Sequence, residues 1–218
     1  MFYDIFRIIG LILGYPIQLI FFKRRTFYEN GVKRKVKKGG KLIISNHFNM
    51  FDYVMTSFIV FPRKLSAVAS EMPFKSKILR FLMKFFGAIQ ANRVTRDMRF
   101  MDECAEVIKK GQLVIIYPEG RNSPDGKMHE FKKSYLVIAH RAKSKILPIV
   151  TDGNYGLFKR ASVMIGEEID LSNFFTTDRP MPEKQELEKA NQIVYQKMLD
   201  LQVKLEEQKA RKRREKKC

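Results

Sequence analysis

Leu42-Ile43-Ile44-Ser45-Asn46-His47-Phe48-Asn49-Met50-Phe51-Asp52 opens on an apolar run that reads as a buried strand and closes on an acid. The pair that matters is His47 and Asp52. Histidine takes up a proton near neutral pH, and a carboxylate beside it fixes its tautomer and steadies the imidazolium. On a regular helix, residues five apart lie roughly 140° apart around the axis, too far for a hydrogen bond. His47 is therefore expected in the turn after the strand, with Asp52 in the first helical turn behind it, reaching back to the ring. The same spacing also suits a loop histidine beside a capping aspartate, so the rest of the chain has to decide.

Outward from this stretch, strand and helix patterns alternate. Strands are expected at 42–45, 66–69, 88–91, 113–117, 146–150 and 161–165, and helices at 53–60, 74–86, 98–110 and 132–141. Such alternation argues for an α/β fold, one sheet flanked by helices. His47, Arg93 and Glu119 then each follow the carboxyl end of an expected strand, the edge where open α/β sheets bind ligands. From Pro182 onward, Leu187, Ile193, Val194, Met198, Leu201 and Leu205 give one long helix an apolar stripe.

Three more blocks follow the first in order: Gly87-Ala88-Ile89-Gln90-Ala91-Asn92-Arg93, Tyr117-Pro118-Glu119-Gly120-Arg121-Asn122-Ser123 and Ile146-Leu147-Pro148-Ile149-Val150. As a set, the four blocks resemble the glycerolipid acyltransferases of the 1-acyl-glycerol-3-phosphate acyltransferase family over residues 41–166. The resemblance implies that His47, oriented by Asp52, is the general base. It implies that Arg93 holds a substrate phosphate through a permanently charged, two-pronged guanidinium, and that Glu119 orients the acceptor or supports the site. Gly120 has no β-carbon, so backbone amides can approach an anion there. The commonest family pattern has one residue between this glycine and an arginine. Here Arg121 follows Gly120 directly and Asn122 takes the usual arginine position, which leaves the phosphate role of Arg121 open.

The implied reaction is acyl transfer from a thioester, of coenzyme A or of acyl carrier protein, to the free hydroxyl of a lysophospholipid. Lysophosphatidic acid would give phosphatidic acid; glycerol 3-phosphate or another lysolipid is the alternative acceptor. No cofactor and no metal is expected. No G-x-S-x-G elbow offers a serine nucleophile, and Cys104 and Cys218 do not stand at metal-ligand or disulfide spacing.

Charge points to a polyanionic partner, since 42 Lys and Arg stand against 23 Asp and Glu, a formal +19. Nucleic acid is disfavoured because the aromatics are mostly Phe within apolar stretches, not stacking platforms among glycines. The amino terminus favours an anionic membrane surface. Residues 8–22 carry no charge but fall short of the ~20 that span a bilayer, and Gly14-Tyr15-Pro16 interrupts them. An apolar helical hairpin lying in the interface is expected, with Arg7 and Lys23 snorkelling to headgroups. Lys23, Arg24, Arg25, Lys33, Arg34, Lys35, Lys37 and Lys38 follow as a cationic collar. Residues 1–40 are thus taken as a membrane-association segment with its collar, 41–182 as the acyltransferase domain, and 183–218 as a helix with a solvated basic tail. The expected location is the cytoplasmic face of a membrane.

Overall fold

The computed structural model describes residues 2–31, 36, 38–92, 97–123, 125–175 and 179–215. Arg93 lies outside them, as do Lys33, Arg34, Lys35 and Lys37 of the collar and Lys216, Lys217 and Cys218 of the tail. In chain order the elements are α1 (Phe2–Phe21), β1 (Arg25–Tyr28), β2 (Lys41–Ser45), α2 (Phe51–Val60), β3 (Leu65–Ser70), α3 (Met72–Lys75), α4 (Lys77–Phe85), β4 (Ile89–Ala91), α5 (Arg99–Lys109), β5 (Leu113–Ile116), α6 (Ser134–Ala142), β6 (Ile146–Thr151), β7 (Ser162–Ile165) and α7 (Lys184–Arg214). The strands form one sheet in the order β1-β7-β6-β2-β5-β3-β4. Every neighbouring pair is parallel except β6 with β7.

Continuous apolar runs become central strands because both faces of the sheet are covered. Leu42 and Ile44 of β2 join one core with Val114, Ile116, Ile146 and residues of α5, α6 and α7. Ile43 joins the other, with Leu113, Ile115, Leu147 and residues of α2. Each such side chain, fully buried, contributes about 1.5–3 kcal/mol. The register follows from this alternation, since a slip of one residue would exchange the two faces.

All six expected strands form, within two residues at each end. The helix expected at 74–86 is divided at Ser76, whose extended backbone precedes α4. β1 was not expected, since Phe27 and Tyr28 are its only apolar residues and it lies wholly within the collar; it is completed by pairing with β7 at the sheet edge.

The expected amino-terminal hairpin is instead one unbroken helix that runs through Pro16. Pro16 and Ile12, whose carbonyl loses its partner, both lie on the exposed face, where that oxygen remains open to solvent. The opposite face packs closely on α2, because a β-carbon on Gly14 would come within 3.1 Å of the Phe58 ring. Arg7 does not snorkel: it is 7% exposed, and its Nη1 donates to the Leu65 carbonyl at 3.1 Å. Among the described residues, no helix is long and apolar enough to cross a membrane.

α7 packs along β6 and β7. It buries Leu187, Ala190, Val194, Met198, Leu201 and Leu205 at spacings of three or four. Ile193, expected in that stripe, is out of phase and exposed. The basic tail is not wholly solvated either, since Lys209 Nζ lies 3.1 Å from Asp152 Oδ2.

Glu29, just past β1, clamps the sheet edge to α7. Its Oε1 accepts from Lys197 Nζ at 2.6 Å and Lys204 Nζ at 2.8 Å, and its Oε2 from the Glu167 N–H at 2.9 Å. Burial pushes this carboxyl up, but the lysine and backbone hydrogen bonds overcome it and hold it down at about 2. A carboxyl depressed on folding contributes stability above its unfolded pKa and loses it as pH falls through the folded value. Glu29→Gln is thus expected to lower the melting temperature at pH 7, with the difference from wild type closing between about pH 4.5 and pH 2; thermal melts of both proteins across that range check this.

Candidate active site

β2 and β5 lie side by side in parallel, so the turns leaving them open at the same edge of the sheet. One turn carries His47, the other Glu119. The Ser123 N–H ties them together by donating to the His47 carbonyl at 2.7 Å. Asn46 fixes the start of the first turn against the end of β6. Its Nδ2 donates to the Thr151 carbonyl and its Oδ1 accepts from the Thr151 N–H, both at 2.9 Å.

Asp52 stands in the first turn of α2, as the spacing requires, and is 1% exposed. Its Oδ2 lies 2.8 Å from His47 Nδ1 and accepts the Phe48 and Asn49 N–H groups at 2.7 and 2.8 Å. Its Oδ1 accepts from the Tyr155 hydroxyl, which also exchanges a hydrogen bond with Thr151 Oγ1 at 3.0 Å. Four donors converge on one acceptor-only carboxylate. With Nδ1–H engaged there, Nε2 is the nitrogen left to accept a proton. The imidazole is further held by stacking on Tyr117, centroids 4.0 Å apart and planes 16° from parallel. Burial, and then the charge of Asp52, push the Tyr117 and Tyr155 phenols well up, so both stay neutral beside the carboxylate.

Glu119 is 4% exposed. Its Oε2 accepts from Ser123 Oγ at 2.6 Å and from the His129 N–H at 2.9 Å, while Oε1 has no hydrogen-bond partner among the described residues. Glu119 and His47 line one narrow cleft with Asn46, Phe48, Ser123 and Lys127. Gly120 takes a left-handed φ of +66°, and Lys132 lies over it, with its Nζ 3.0 Å from where a β-carbon would be. Arg121 and Asn122 are both exposed at this turn. The structure therefore brings His47, Asp52, Glu119 and Gly120 together, while the contribution of Arg93 lies outside the described residues.

Sequence reasoning did not find Tyr155, Thr151, Tyr117 or Lys132. Tyr155 stands 103 residues from Asp52, and no local spacing signals such a contact. The stacking role of Tyr117 was within reach, since it ends the strand that precedes Glu119.

Behind α2 lies an apolar cavity of about 440 Å³, walled by α1, α2 and α4. On α1 its lining runs from Arg7 through Leu11, Gly14 and Gln18 to Phe21, about 21 Å of helix, and Phe22 just past the helix continues it. At the Phe22 end it approaches the surroundings of Asp52, because the Phe22 ring meets Phe51 at 6.4 Å and Tyr155 at 5.5 Å.

The family model described as Acyltransferase matches residues 20–152. Among curated proteins, the chain is 28% identical over 116 residues to a 1-acyl-sn-glycerol-3-phosphate acyltransferase of Chlamydomonas reinhardtii, covering 52% of this chain and 34% of that protein. It is 23% identical over 172 residues to a chloroplastic 1-acyl-sn-glycerol-3-phosphate acyltransferase of Arabidopsis thaliana, covering 68% and 48%. It is 34% identical over 129 residues to one of Cocos nucifera, covering 57% and 41%. The chain thus spans a third to a half of the length of these relatives. The fold is similar to the crystal structure of the 1-acyl-sn-glycerophosphate acyltransferase PlsC of Thermotoga maritima, with a TM-score of 0.57 at 22% identity, over 83% of this chain and 72% of that one. Since the family model takes in more than half of the residues, the chain belongs to the Acyltransferase family.

Proposed function

We propose that this protein moves a fatty acyl group from a thioester to the sn-2 hydroxyl of 1-acyl-glycerol-3-phosphate, forming phosphatidic acid. The observation that carries the reading is the 2.8 Å contact between His47 Nδ1 and buried Asp52, beside Glu119, whose Oε1 has no hydrogen-bond partner among the described residues. His47 Nε2 takes the proton of the acceptor hydroxyl as that oxygen attacks the thioester carbonyl. The C–O bond forms, the C–S bond breaks, and the proton passes to the departing sulfur, leaving a free thiol. A thiol with a pKa near 8.5 is a good leaving group, so neither an acyl-enzyme nor a metal is needed. Glu119 Oε1 accepts a hydrogen bond from the acceptor. Arg93 and Arg121, with Lys132 over Gly120, supply the cations for its phosphate. The donor is acyl-CoA or acyl carrier protein.

The same reading makes the protein a guest of an anionic membrane surface, on the cytoplasmic face. What supports this is the exposed apolar face of α1, with Ile9, Ile12, Leu13, Ile17 and Ile20, continued by Ile78, Leu79 and Phe81 of α4 beside the cations Lys77, Arg80 and Lys84. The experiment incubates purified protein with labelled lysophosphatidate, glycerol 3-phosphate or other lysolipids and each donor, in detergent and on anionic or zwitterionic vesicles. Lysophosphatidate is expected to be acylated, fastest on anionic vesicles. Transfer to glycerol 3-phosphate instead would reassign the acceptor, and no transfer at all, with an active relative alongside, would overturn the reading.

A further inference from the structure

Between β6 and β7 the chain turns at 156–159, where the Lys159 N–H donates to the Gly156 carbonyl at 3.1 Å. The corners of such turns ordinarily hold Gly, Pro, Asn, Asp or Ser. Here they hold Leu157, 55% exposed, and Phe158, 100% exposed, and the next two residues are the exposed cations Lys159 and Arg160. The turn between His47 and Asp52 also has apolar corners. It is closed by the Asp52 N–H on the Asn49 carbonyl at 3.1 Å, and its corner residues Met50 and Phe51 are both exposed. Both turns meet the carboxyl end of α1. The Gly156 and Ala161 N–H groups donate to the Phe21 and Phe22 carbonyls at 3.2 and 2.9 Å, and the Phe51 ring lies 5.1 Å from that of Phe21. Leu19, Ile20 and Lys23 are exposed at that same end.

From this arrangement we propose that the 156–159 turn is an insertion tip: Leu157 and Phe158 enter the acyl region of an anionic bilayer while Lys159 and Arg160 stay among its phosphates. The proposal rests on the membrane reading above and deepens it, by adding to α1 and α4 a contact at the catalytic edge of the sheet. Size selects lipid over protein as the occupant. Two side chains offer a few hundred Å² at most, well short of the roughly 1,000 Å² that a specific protein interface needs. A bilayer asks for no matching pocket, only apolar atoms to insert and cations beside them. The tip supplies both in four adjacent residues, and Lys23 adds a further charge. The turn is also joined to the chemistry, because Tyr155, next to Gly156, donates to Asp52. Insertion therefore sets the His47 edge against the surface that supplies the lysolipid.

The chain contains no tryptophan, so Phe158→Trp places a single reporter at the tip. On equimolar phosphatidylcholine–phosphatidylglycerol vesicles its emission is expected to shift to the blue and to be quenched by lipids brominated on the acyl chain. Co-sedimentation with the same vesicles measures the partition coefficient. Leu157→Ser with Phe158→Ser is expected to lower it about tenfold, the scale of burying one such side chain. Lys159→Gln with Arg160→Gln is expected to lower it about fivefold for each charge, an effect absent on pure phosphatidylcholine. All four side chains are exposed, so none of these changes opens the core. Acyl transfer in detergent is expected to stay at the wild-type rate, while transfer on vesicles falls with the partition. Emission unmoved on vesicles that bind the protein, or a partition coefficient untouched by either pair of substitutions, overturns the inference and leaves α1 and α4 as the membrane contact. A wild-type dimer that the serine pair dissociates assigns the tip to a second copy of the chain and overturns it too. If wild type binds neither kind of vesicle, the membrane reading and this inference fall together, while acyl transfer is judged separately in detergent.

Discussion

His47→Ala is expected to lower kcat by about 10³–10⁴-fold while the protein stays folded, near the upper end of what a positioned general base contributes. The stability side of this expectation can be argued atom by atom. Removing the imidazole takes one donor from Asp52, but the Phe48 and Asn49 N–H groups and the Tyr155 hydroxyl remain on its two oxygens. The carboxylate is therefore not left bare. The stack on Tyr117 is lost, at a cost of about 0.5–1.5 kcal/mol, and the His47 side chain is already 20% exposed, so little apolar core is opened. The loss should fall on kcat with little change in KM, because the proton transfer is made only in the transition state. Steady-state kinetics beside a thermal melt check both halves. Turnover undiminished in a folded variant would remove His47 from the chemistry.

What the sequence made legible is what periodicity and short-range geometry govern. The central strands β2, β5 and β6 are continuous aliphatic runs because helices cover both faces, and no other local state suits such runs so well. The His47–Asp52 contact was legible because a five-residue offset is incompatible with one helix face and compatible with a turn leading into a helix. β1 was not legible: Arg25-Thr26-Phe27-Tyr28 becomes a strand through a partner 137 residues further along the chain, since Arg25 pairs with Ser162. The path of α1 through Pro16 was missed for a related reason. Proline breaks a helix when the freed carbonyl is buried, and here close packing at Gly14 holds the inner face while the outer face remains open. Tyr155 became visible only as atoms in space, bonded to Asp52 from 103 residues away.

Asp52→Asn is expected to cost about 10²-fold in kcat, well short of the roughly 10⁴-fold that follows when an asparagine flips its histidine into the wrong tautomer. The difference lies in the donors around the side chain. An amide offers one acceptor oxygen where the carboxylate offered two. With its oxygen at the Oδ2 position it still serves His47 Nδ1–H and the Phe48 and Asn49 N–H groups. Its NH₂ then faces the Tyr155 hydroxyl, which can turn to accept it and pass its own proton to Thr151 Oγ1, 3.0 Å away. The opposite orientation sets NH₂ against three donors, two of them backbone groups that cannot turn. The first orientation therefore wins and His47 keeps Nδ1–H. Only the charge that steadies the imidazolium is lost, about the difference between a charge-assisted and a neutral hydrogen bond. Asp52→Ala removes the acceptor for all four donors, so it should lose at least tenfold more activity and about 2–4 kcal/mol of stability. Nitrogen NMR of the imidazole reads the tautomer directly. If Asp52→Asn shows Nε2–H, or falls as far as His47→Ala, then Tyr155 does not rescue the amide and the orientation argument fails.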